Sequence, residues 1–146
     1  MKKKLLSILL VLSLMLALVP TAFAADIVDS GTCGADGDGS SVTWTLDAAG
    51  LLTISGTGKI INGDGGSIWS GKPVMAVDIR SGITAVGSNA FFGCDQLQVI
   101  SLPDTVTQLD KNAFGNCAAL SSILVDAKNP AYKSVDGALY SKDGTV

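Results

Sequence analysis

Two consecutive segments of this chain are degenerate copies of each other. The segment at residues 83–105 is followed directly by a similar one at residues 106–128. Six residues recur at a spacing of 23, since Asn89, Ala90, Phe91, Cys94, Leu97 and Ile100 return as Asn112, Ala113, Phe114, Cys117, Leu120 and Ile123. A repeat of this length is one coil that cannot bury its own apolar face, so successive coils must stack on each other. The sequence therefore predicts a solenoid.

Each coil is predicted to contain one short strand and about one helical turn. The spacing L-x-x-I-x-L at residues 97–102 and its partner at residues 120–125 predict strands that add to a parallel sheet. Residues 88–93 and 111–116 lie on the opposite side of the coil and are predicted to be helical turns that point their phenylalanines inward. The predicted fold class is a β-rich α/β solenoid, a short stack of 23-residue coils.

A β-hairpin is predicted before the repeats. Residues 42–46 and 52–54 alternate apolar with polar side chains, and residues 47–50 between them have turn chemistry. The predicted buried face of this hairpin carries Trp44, Leu46, Leu52 and Ile54. The hairpin is therefore expected to cap the first coil.

The 23-residue spacing also relates the residues just before the two repeats to them, but it does not continue after the second repeat. Residues 68–82 match the back half of an earlier coil, with Ile68 in line with Phe91 and Trp69 outside the core. Position 137, where a third phenylalanine would fall, is a glycine, and strands are predicted around Asp136–Gly137. The last coil would leave an open sheet edge, so the chain is expected to continue or to be covered there.

The first 24 residues are predicted to be a secretory signal peptide. Lysines at positions 2–4 precede an apolar run at residues 5–19 and the A-x-A sequence at residues 22–24. The apolar run is shorter than the roughly 20 residues that a membrane-spanning helix needs. The mature chain is therefore expected to lie outside the cell without spanning the membrane, either free or attached to the surface through regions that this sequence lacks.

The mature chain is divided by these patterns into three parts. Residues 25–66 are the lead-in and hairpin cap, and residues 67–128 are the repeats. Residues 129–146 are a turn-rich insertion or an incomplete C-terminal region.

The composition removes most enzymatic chemistry. The chain has no histidine and no glutamate, so imidazole bases, histidine metal ligands and glutamate acid–base pairs are excluded. Without the signal peptide, seven basic residues face 13 aspartates, a net charge of −6, which argues against nucleic acid as a partner. No catalytic residue, metal site or cofactor is expected.

The acidic run at residues 36–40 is interpreted as a flexible turn rather than a calcium loop.

Two of the three cysteines hold equivalent places in successive coils. Cys94 and Cys117 would lie about 4.8 Å apart if the coils stack like strands of a sheet, which is within reach of a disulfide. Burial as small core residues is the favoured interpretation. A bridge between them remains the alternative, and with Cys33 the odd number leaves at least one thiol unpaired.

The repeat resembles a known family. The pattern G-x-x-A-F-x-x-C-x-x-L-x-x-I-x-L-P-x-x-V at residues 87–106 is similar to the BspA-like leucine-rich repeats of bacterial surface proteins. The hairpin segment and the ending NPAYKSVDGALYSKDGTV also resemble segments that accompany those repeats. Asp110 departs from the pattern, which usually has glycine there. The resemblance implies secreted or surface-exposed proteins, several of them adhesins for host matrix proteins or other bacteria, with no shared catalytic residues.

The outward-facing strand positions are the candidate binding residues. With the apolar residues of each strand inward, alternation places the intervening side chains on the outer surface of the sheet, where solenoids commonly bind partners. The candidate partner-binding residues are Asp78, Arg80, Val99, Ser101, Ser122, Leu124 and Asp126. Exposed Val99 and Leu124 would make this surface more adhesive than an ordinary polar one.

The sequence therefore predicts a non-enzymatic leucine-rich-repeat module that acts in adhesion or protein–protein recognition. The expected partner is a protein or another component of a host or bacterial surface. One alternative is a structural spacer within a larger surface protein. A second is an accessory domain of a polysaccharide-targeting enzyme, for which Trp69 and Tyr132 are the candidate exposed aromatic residues.

Overall fold

The structure, a computed structural model, describes residues 26–143, so the predicted signal peptide lies outside the described residues. This part of the chain contains 11 strands and no helix, and hence no helix that could cross a membrane. The strands are β1 (Ile27–Thr32), β2 (Val42–Asp47), β3 (Leu51–Gly56), β4 (Gly58–Ile60), β5 (Ala76–Ile79), β6 (Ile83–Val86), β7 (Val99–Leu102), β8 (Gln108–Leu109), β9 (Ser122–Val125), β10 (Tyr132–Val135) and β11 (Ala138–Ser141).

Six strands form one large sheet in the order β1-β2-β3-β5-β7-β9. The first three strands pair antiparallel, and from β3 onward every neighbour is parallel. The predicted hairpin is β2–β3, and its four predicted inward residues are all buried, at 7% exposure or less. Because β3 pairs in parallel with β5, the hairpin extends the sheet of the solenoid.

Each coil also contributes to a second, shorter sheet. The strands β4, β6 and β8 pair in parallel in that order. A coil therefore runs from a strand of the large sheet to a strand of the short sheet and then through a series of turns to the next large-sheet strand. The short sheet carries the inward residues Ile60, Ile83 and Val86, which have no exposed surface.

The predicted helical turns are wrong, and the fold is a β-solenoid rather than α/β. Asn89 and Asn112 both have a φ of 56°, a left-handed conformation that interrupts a right-handed helix and that asparagine tolerates. Alternate amides of this segment bond to the next coil: Asn89 N–H donates to the Lys111 carbonyl (3.2 Å), Phe91 N–H to Ala113 (2.8 Å) and Gly93 N–H to Gly115 (3.0 Å). The amides between them close single turns, as Phe92 N–H does with the Asn89 carbonyl (3.0 Å), so no continuous helix forms.

A stack of aromatic rings runs through the core. The ring of Phe91 lies between Trp69, at 4.9 Å between centroids and 16° between planes, and Phe114, at 5.8 Å and 27°. The expectation that Trp69 lies outside the core is wrong, because its side chain is only 1% exposed. Ile68, aligned with Phe91 by the 23-residue register, is 43% exposed. The earlier coil is one residue shorter at this point, which brings Trp69 into the position of the phenylalanine.

The cysteines of the repeats are core residues with free thiols. Cys94 is buried and Cys117 packs against the same core, as the favoured interpretation predicts. Each thiol points toward the preceding coil, where Cys94 donates to the Ser67 hydroxyl (3.7 Å) and Cys117 to the Phe91 carbonyl (3.1 Å). Burial raises the pKa of Cys117 to about 11, so its reactive thiolate is scarce at neutral pH.

The predicted strands around Asp136–Gly137 are confirmed as the hairpin of β10 and β11. This hairpin lies against β9, the last strand of the large sheet. Its inner side contributes Leu139, which packs against the core. Residues 132–141 therefore cover the coil that contains β9.

The ring stack generates the first prediction. Phe91→Ala removes a ring that packs on both sides and should lower the free energy of unfolding by about 3–5 kcal/mol. Phe114→Ala, at the partly exposed end of the stack, should cost less than half as much, because one side of its cavity opens to solvent. Urea unfolding followed by tryptophan fluorescence gives both values. Equal losses would contradict a stack that ends at Phe114.

Candidate binding face of the large sheet

The outward-facing residues of the large sheet form one surface, here called the outer face. Strand register fixes which residues lie side by side across the parallel strands. Its central row is Thr53, Asp78, Ser101 and Leu124, which are direct partners on β3, β5, β7 and β9. The inward row beside it is Leu52, Val77, Ile100 and Ile123, which belongs to or packs on the core. Alternation therefore separates a structural row from an accessible one.

Five of the seven predicted binding residues lie on the outer face with accessible side chains. Arg80 and Asp126 are exposed, while Asp78, Ser101 and Leu124 are half-buried. The arrangement places acidic, basic, hydroxyl and apolar groups within three neighbouring strands. A surface of this kind can form hydrogen bonds, ion pairs and apolar contacts with another protein.

The expected exposure of Val99 and Ser122 is wrong. Ser122 is only 3% exposed because the β10–β11 turn lies over it, where a side chain at Gly137 would come within 3.0 Å of the Ser122 hydroxyl. Val99 is 7% exposed. It is flanked by Ala76 on one neighbouring strand and by Ser122 on the other, so its short side chain is enclosed within the row. Neither residue offers a surface to a partner.

An ion pair marks the centre of the outer face. The Arg80 Nε lies 2.9 Å from the Asp78 Oδ2, with side-chain exposures of 51% and 16%. The pair follows from the spacing of two residues, which puts both side chains on one side of the chain. An exposed pair of this kind contributes only about 0.2–1 kcal/mol to folding. The other guanidinium N–H groups have no partner within residues 26–143, so they are available to an acceptor on a ligand.

The outer face extends beyond the repeats over the N-terminal hairpin. The register of β1, β2 and β3 aligns outward residues that all carry hydroxyl groups, namely Ser30 with Thr45 and Thr53, and Thr32 with Thr43 and Ser55. None of these hydroxyls has a hydrogen-bond partner in the described part of the chain. The alternation V-T-W-T-L already places Thr43 and Thr45 opposite Trp44. What the sequence did not reveal is the parallel pairing of β3 with β5 that makes the surface continuous.

A second ion pair lies on the short sheet. Lys59 Nζ donates to Asp110 Oδ2 at 2.6 Å, and Gln108 Nε2 donates to Asp110 Oδ1 at 2.7 Å. The hydrogen bond from Lys59, with a further one from Gln108, holds the pKa of Asp110 below its usual value. Asp110, which departs from the repeat pattern, thus has two side-chain partners. It joins β4 to the end of β8 and is a structural feature.

Residues 26–143 contain no group of His, Cys, Asp or Glu side chains arranged to hold a metal ion. The acidic run at residues 36–40 forms a tight turn, in which Asp38 accepts a hydrogen bond from the Ser40 amide at 2.9 Å. Hydrogen bonds from the Ser40 hydroxyl and amide lower the pKa of Asp38. The carboxylate is therefore engaged within its own turn.

Residues 66–136 match the family described as the BspA type leucine-rich repeat region of six copies. This part of the chain belongs to that repeat family, as its sequence pattern indicated. No curated protein matches the chain.

Solved structures of bacterial proteins are similar at low identity. A leucine-rich repeat protein from Eubacterium ventriosum shares 19% identity over 79% of this chain and 49% of its own, with a TM-score of 0.39. The pneumococcal vaccine antigen PcpA shares 13% identity over 77% and 55%, with a TM-score of 0.33. A leucine-rich cell surface protein from Faecalibacterium prausnitzii shares 15% identity over 80% and 60%, with a TM-score of 0.23. This chain thus spans about half to three-fifths of their length.

The Lys59–Asp110 pair generates a prediction about pH. Because the pKa of Asp110 is lowered in the folded state, the pair stabilises the protein above the unfolded value near 3.8 and the effect is lost as the pH falls through the folded value. Asp110→Asn should therefore cost about 0.2–1 kcal/mol at pH 7. The difference from the parent chain should vanish in acid.

Urea titrations at several pH values measure this difference. In the Asp110→Asn background, Lys59→Met should cost nothing further from the lost pair. A stability difference that persists unchanged once the Asp110 carboxylate is protonated would show that the lysine does not act through the carboxylate.

Proposed function

We propose that the outer face of the large sheet is a protein-recognition surface used in adhesion. The observation that carries this proposal is the exposed guanidinium of Arg80, held by Asp78, whose row on the sheet continues through Ser101 to the half-buried Leu124. Arginine held in a fixed position is typical of the energetic centre of protein interfaces. The binding residues are Asp78, Arg80, Ser101, Leu124 and Asp126, without the buried Val99 and Ser122.

The architecture supports this role because structural and accessible positions are separated. The residues repeated between coils pack in the core, whereas the outer face differs from strand to strand. A solenoid can therefore vary its outer face without changing the stack. Outer-face substitutions are then expected to alter binding while leaving the fold intact.

We further propose that the protein acts outside the cell. The support is the sequence of the first 24 residues, which has the charged, apolar and small-residue regions of a signal peptide. Three free cysteines do not conflict with an oxidising environment, since Cys33 and Cys94 are buried and burial raises the pKa of the half-buried Cys117 to about 11, which makes all three thiols unreactive. The partner would then be a component of a host or bacterial surface.

The two alternative functions are an accessory domain for polysaccharides and a structural spacer, and they are supported to different degrees. An accessory domain for polysaccharides would need exposed aromatic rings, yet Trp69 is buried and the Tyr132 hydroxyl is engaged by the Leu109 amide. Tyr140, on the C-terminal hairpin, is exposed. A structural spacer would have an outer face with no ligand at all. That outcome is decided by the binding experiment.

The third prediction concerns the double variant Asp78→Ala plus Arg80→Ala. If the outer face binds protein, this variant should weaken binding of the mature chain to its target among immobilised host matrix proteins by at least about tenfold, equivalent to about 1.4 kcal/mol. Biolayer interferometry gives the dissociation constants. Far-ultraviolet circular dichroism should be unchanged, because both side chains lie outside the core.

A matched control removes one ion pair from the other sheet. Lys59→Met plus Asp110→Asn deletes the same number of charges of each sign and should leave binding unchanged. Equal losses in the two double variants, or a parent chain that binds none of the immobilised proteins, would contradict recognition by the outer face and favour a spacer.

A further inference from the structure

Hydroxyl groups cover the part of the outer face that β1, β2 and β3 contribute. They form two rows across these strands, and the members of each row are direct partners in the strand register. Adjacent members of a row are separated by one strand spacing, about 4.8 Å. The six residues, here called the hydroxyl zone, are Ser30, Thr45 and Thr53 in one row and Thr32, Thr43 and Ser55 in the other.

The groups of the hydroxyl zone are available to a ligand. Ser30, Thr32 and Thr43 are exposed, and the other three residues are half-buried. None of the six hydroxyls has a hydrogen-bond partner among residues 26–143. Each can donate one hydrogen bond and accept two. The zone therefore offers a ligand both donors and acceptors without offering it a charge.

Arg80 lies directly beside the hydroxyl zone. Its amide donates to the Ile54 carbonyl at 2.9 Å, which continues the parallel pairing of β3 with β5 and places Arg80 next to Ser55. Alternation turns both side chains to the outer face. A row of hydroxyls thus begins at a guanidinium, with Ser55 one strand spacing away and Thr43 two spacings away, about 5 and 10 Å.

The guanidinium of Arg80 keeps its terminal nitrogens for a ligand. Asp78 Oδ2 contacts the Nε at 2.9 Å, which leaves the two terminal nitrogens free of an ion pair within the described part of the chain. These nitrogens form a planar fork that matches the two oxygens of a carboxylate. The Asp78 side chain is only 16% exposed. It therefore orients the guanidinium from beneath, while a ligand carboxylate can reach the exposed end.

The two sides of Arg80 differ in charge. On the hairpin side, the rows of the hydroxyl zone carry no charged residue. On the repeat side, the register pairs Leu102 with Val125, so the row that contains Arg80 continues to Pro103 and then to the exposed Asp126. A negatively charged ligand is repelled by Asp126. An acidic ligand that binds Arg80 should therefore extend over the hydroxyl zone.

The charges also limit the kind of acid that fits. Arg80 is the only basic residue in the two rows between β1 and β9. A polymer with a carboxylate on every repeating unit would leave most of its charges unpaired on this surface. A ligand with one carboxylate and several neutral hydroxyls matches both parts of it. Sugars of the sialic acid class have this composition, with one carboxylate and with hydroxyls on the ring and on a three-carbon side chain.

We propose that Arg80 and the hydroxyl zone bind a terminal sialic acid on a glycoprotein. The carboxylate accepts hydrogen bonds from the Arg80 fork, and the sugar hydroxyls bond to those of Ser55, Thr53 and Thr43. No exposed aromatic ring is needed, because charge and hydrogen bonds make the contact rather than the apolar face of a sugar ring. The proposal rests on the outer face being a recognition surface and names the chemical group that it contacts on its partner.

The binding of the isolated sugar to the mature chain tests the proposal without a protein partner. An NMR titration with the α-methyl glycoside of N-acetylneuraminic acid should give a dissociation constant on the order of 1 mM, as expected for one ion pair and a few hydrogen bonds on an open surface. The methyl ester of this glycoside lacks the charge but keeps every hydroxyl. Mild periodate oxidation shortens the hydroxyl side chain but keeps the carboxylate. Each modification should weaken binding at least tenfold.

Three variants locate the binding site. Arg80→Gln removes the fork and should weaken binding of the glycoside at least tenfold. Thr43→Val plus Thr53→Val removes two hydroxyls, keeps the branched shape and should weaken binding at least threefold. The matched control is Thr84→Val plus Thr107→Val, because these exposed threonines lie in β6 and next to β8 of the short sheet. The control should bind like the parent chain, and far-ultraviolet circular dichroism should be the same for all.

Each other result contradicts the proposal. A parent chain that does not bind the glycoside, or that binds its methyl ester equally well, would exclude a carboxylate on Arg80. Equal losses in the two threonine double variants would show that the hydroxyl zone is not the site. Equal binding of N-acetylglutamate would show that the surface selects any carboxylate, including that of a peptide, rather than a sugar acid.

Sialidase treatment separates this proposal from the recognition role of the outer face. Removal of terminal sialic acids from the immobilised matrix proteins should abolish the binding that depends on Arg80. Binding that persists after the treatment and still depends on Arg80 would leave protein recognition standing and would exclude the sugar as its target.

Discussion

The structure depends on contact between successive coils. A single coil has too little chain to enclose its own apolar side chains, so its core residues are buried only when another coil lies on each side. The ring stack of Trp69, Phe91 and Phe114 shows this dependence most plainly, because each ring is covered by the ring of the adjacent coil. The inter-coil hydrogen bonds beside the rings satisfy the backbone over the same interface. Stacking, sheet formation and backbone pairing are therefore one cooperative event.

The two ends of the stack are completed in different ways. At the N-terminal end, the β2–β3 hairpin joins the large sheet in parallel with the first coil and places Trp44 edge-on to Trp69, 6.0 Å away. After β9, residues 129–143 pair single edge amides of both sheets and bury the polar side chain of Asn129. The hairpin enlarges the sheet and its outer face, whereas residues 129–143 add no strand to the large sheet. Such ends are needed because an uncovered coil exposes apolar residues and unpaired amides.

The repeat and the stacking of its coils into a solenoid could be predicted from the sequence, because core residues recur at a fixed spacing. The same spacing indicated the repeat family, and the alternation of apolar and polar residues identified the inward residues of the hairpin. Other features could not be predicted. The strands of the short sheet are too brief for an alternating pattern, and left-handed asparagines replace the expected helical turns. A deletion of one residue moves Trp69 into the core. The burial of Ser122 depends on the β10–β11 turn folding back over it, a long-range contact without a local signal.

The difference between local patterns and long-range pairing also explains how much of the candidate surface could be predicted from the sequence. Alternation correctly placed Asp78, Ser101 and Leu124 in one accessible row, because strand geometry alone decides which side they face. It did not show that the row continues onto Thr53 of the hairpin, because parallel pairing joins segments that are distant in sequence. The outer face is thus larger than the repeats that suggested it.

Core residues and accessible residues alternate along each strand of the large sheet. Comparing the stability of variants at two adjacent residues tests this separation most directly. Ile100 points inward and Ser101 outward on the same central strand. Ile100→Ala should lower the free energy of unfolding by about 2–5 kcal/mol, whereas Ser101→Ala should change it by no more than about 0.5 kcal/mol. Comparable losses for both variants in urea unfolding would contradict an outer face that is free to vary for recognition.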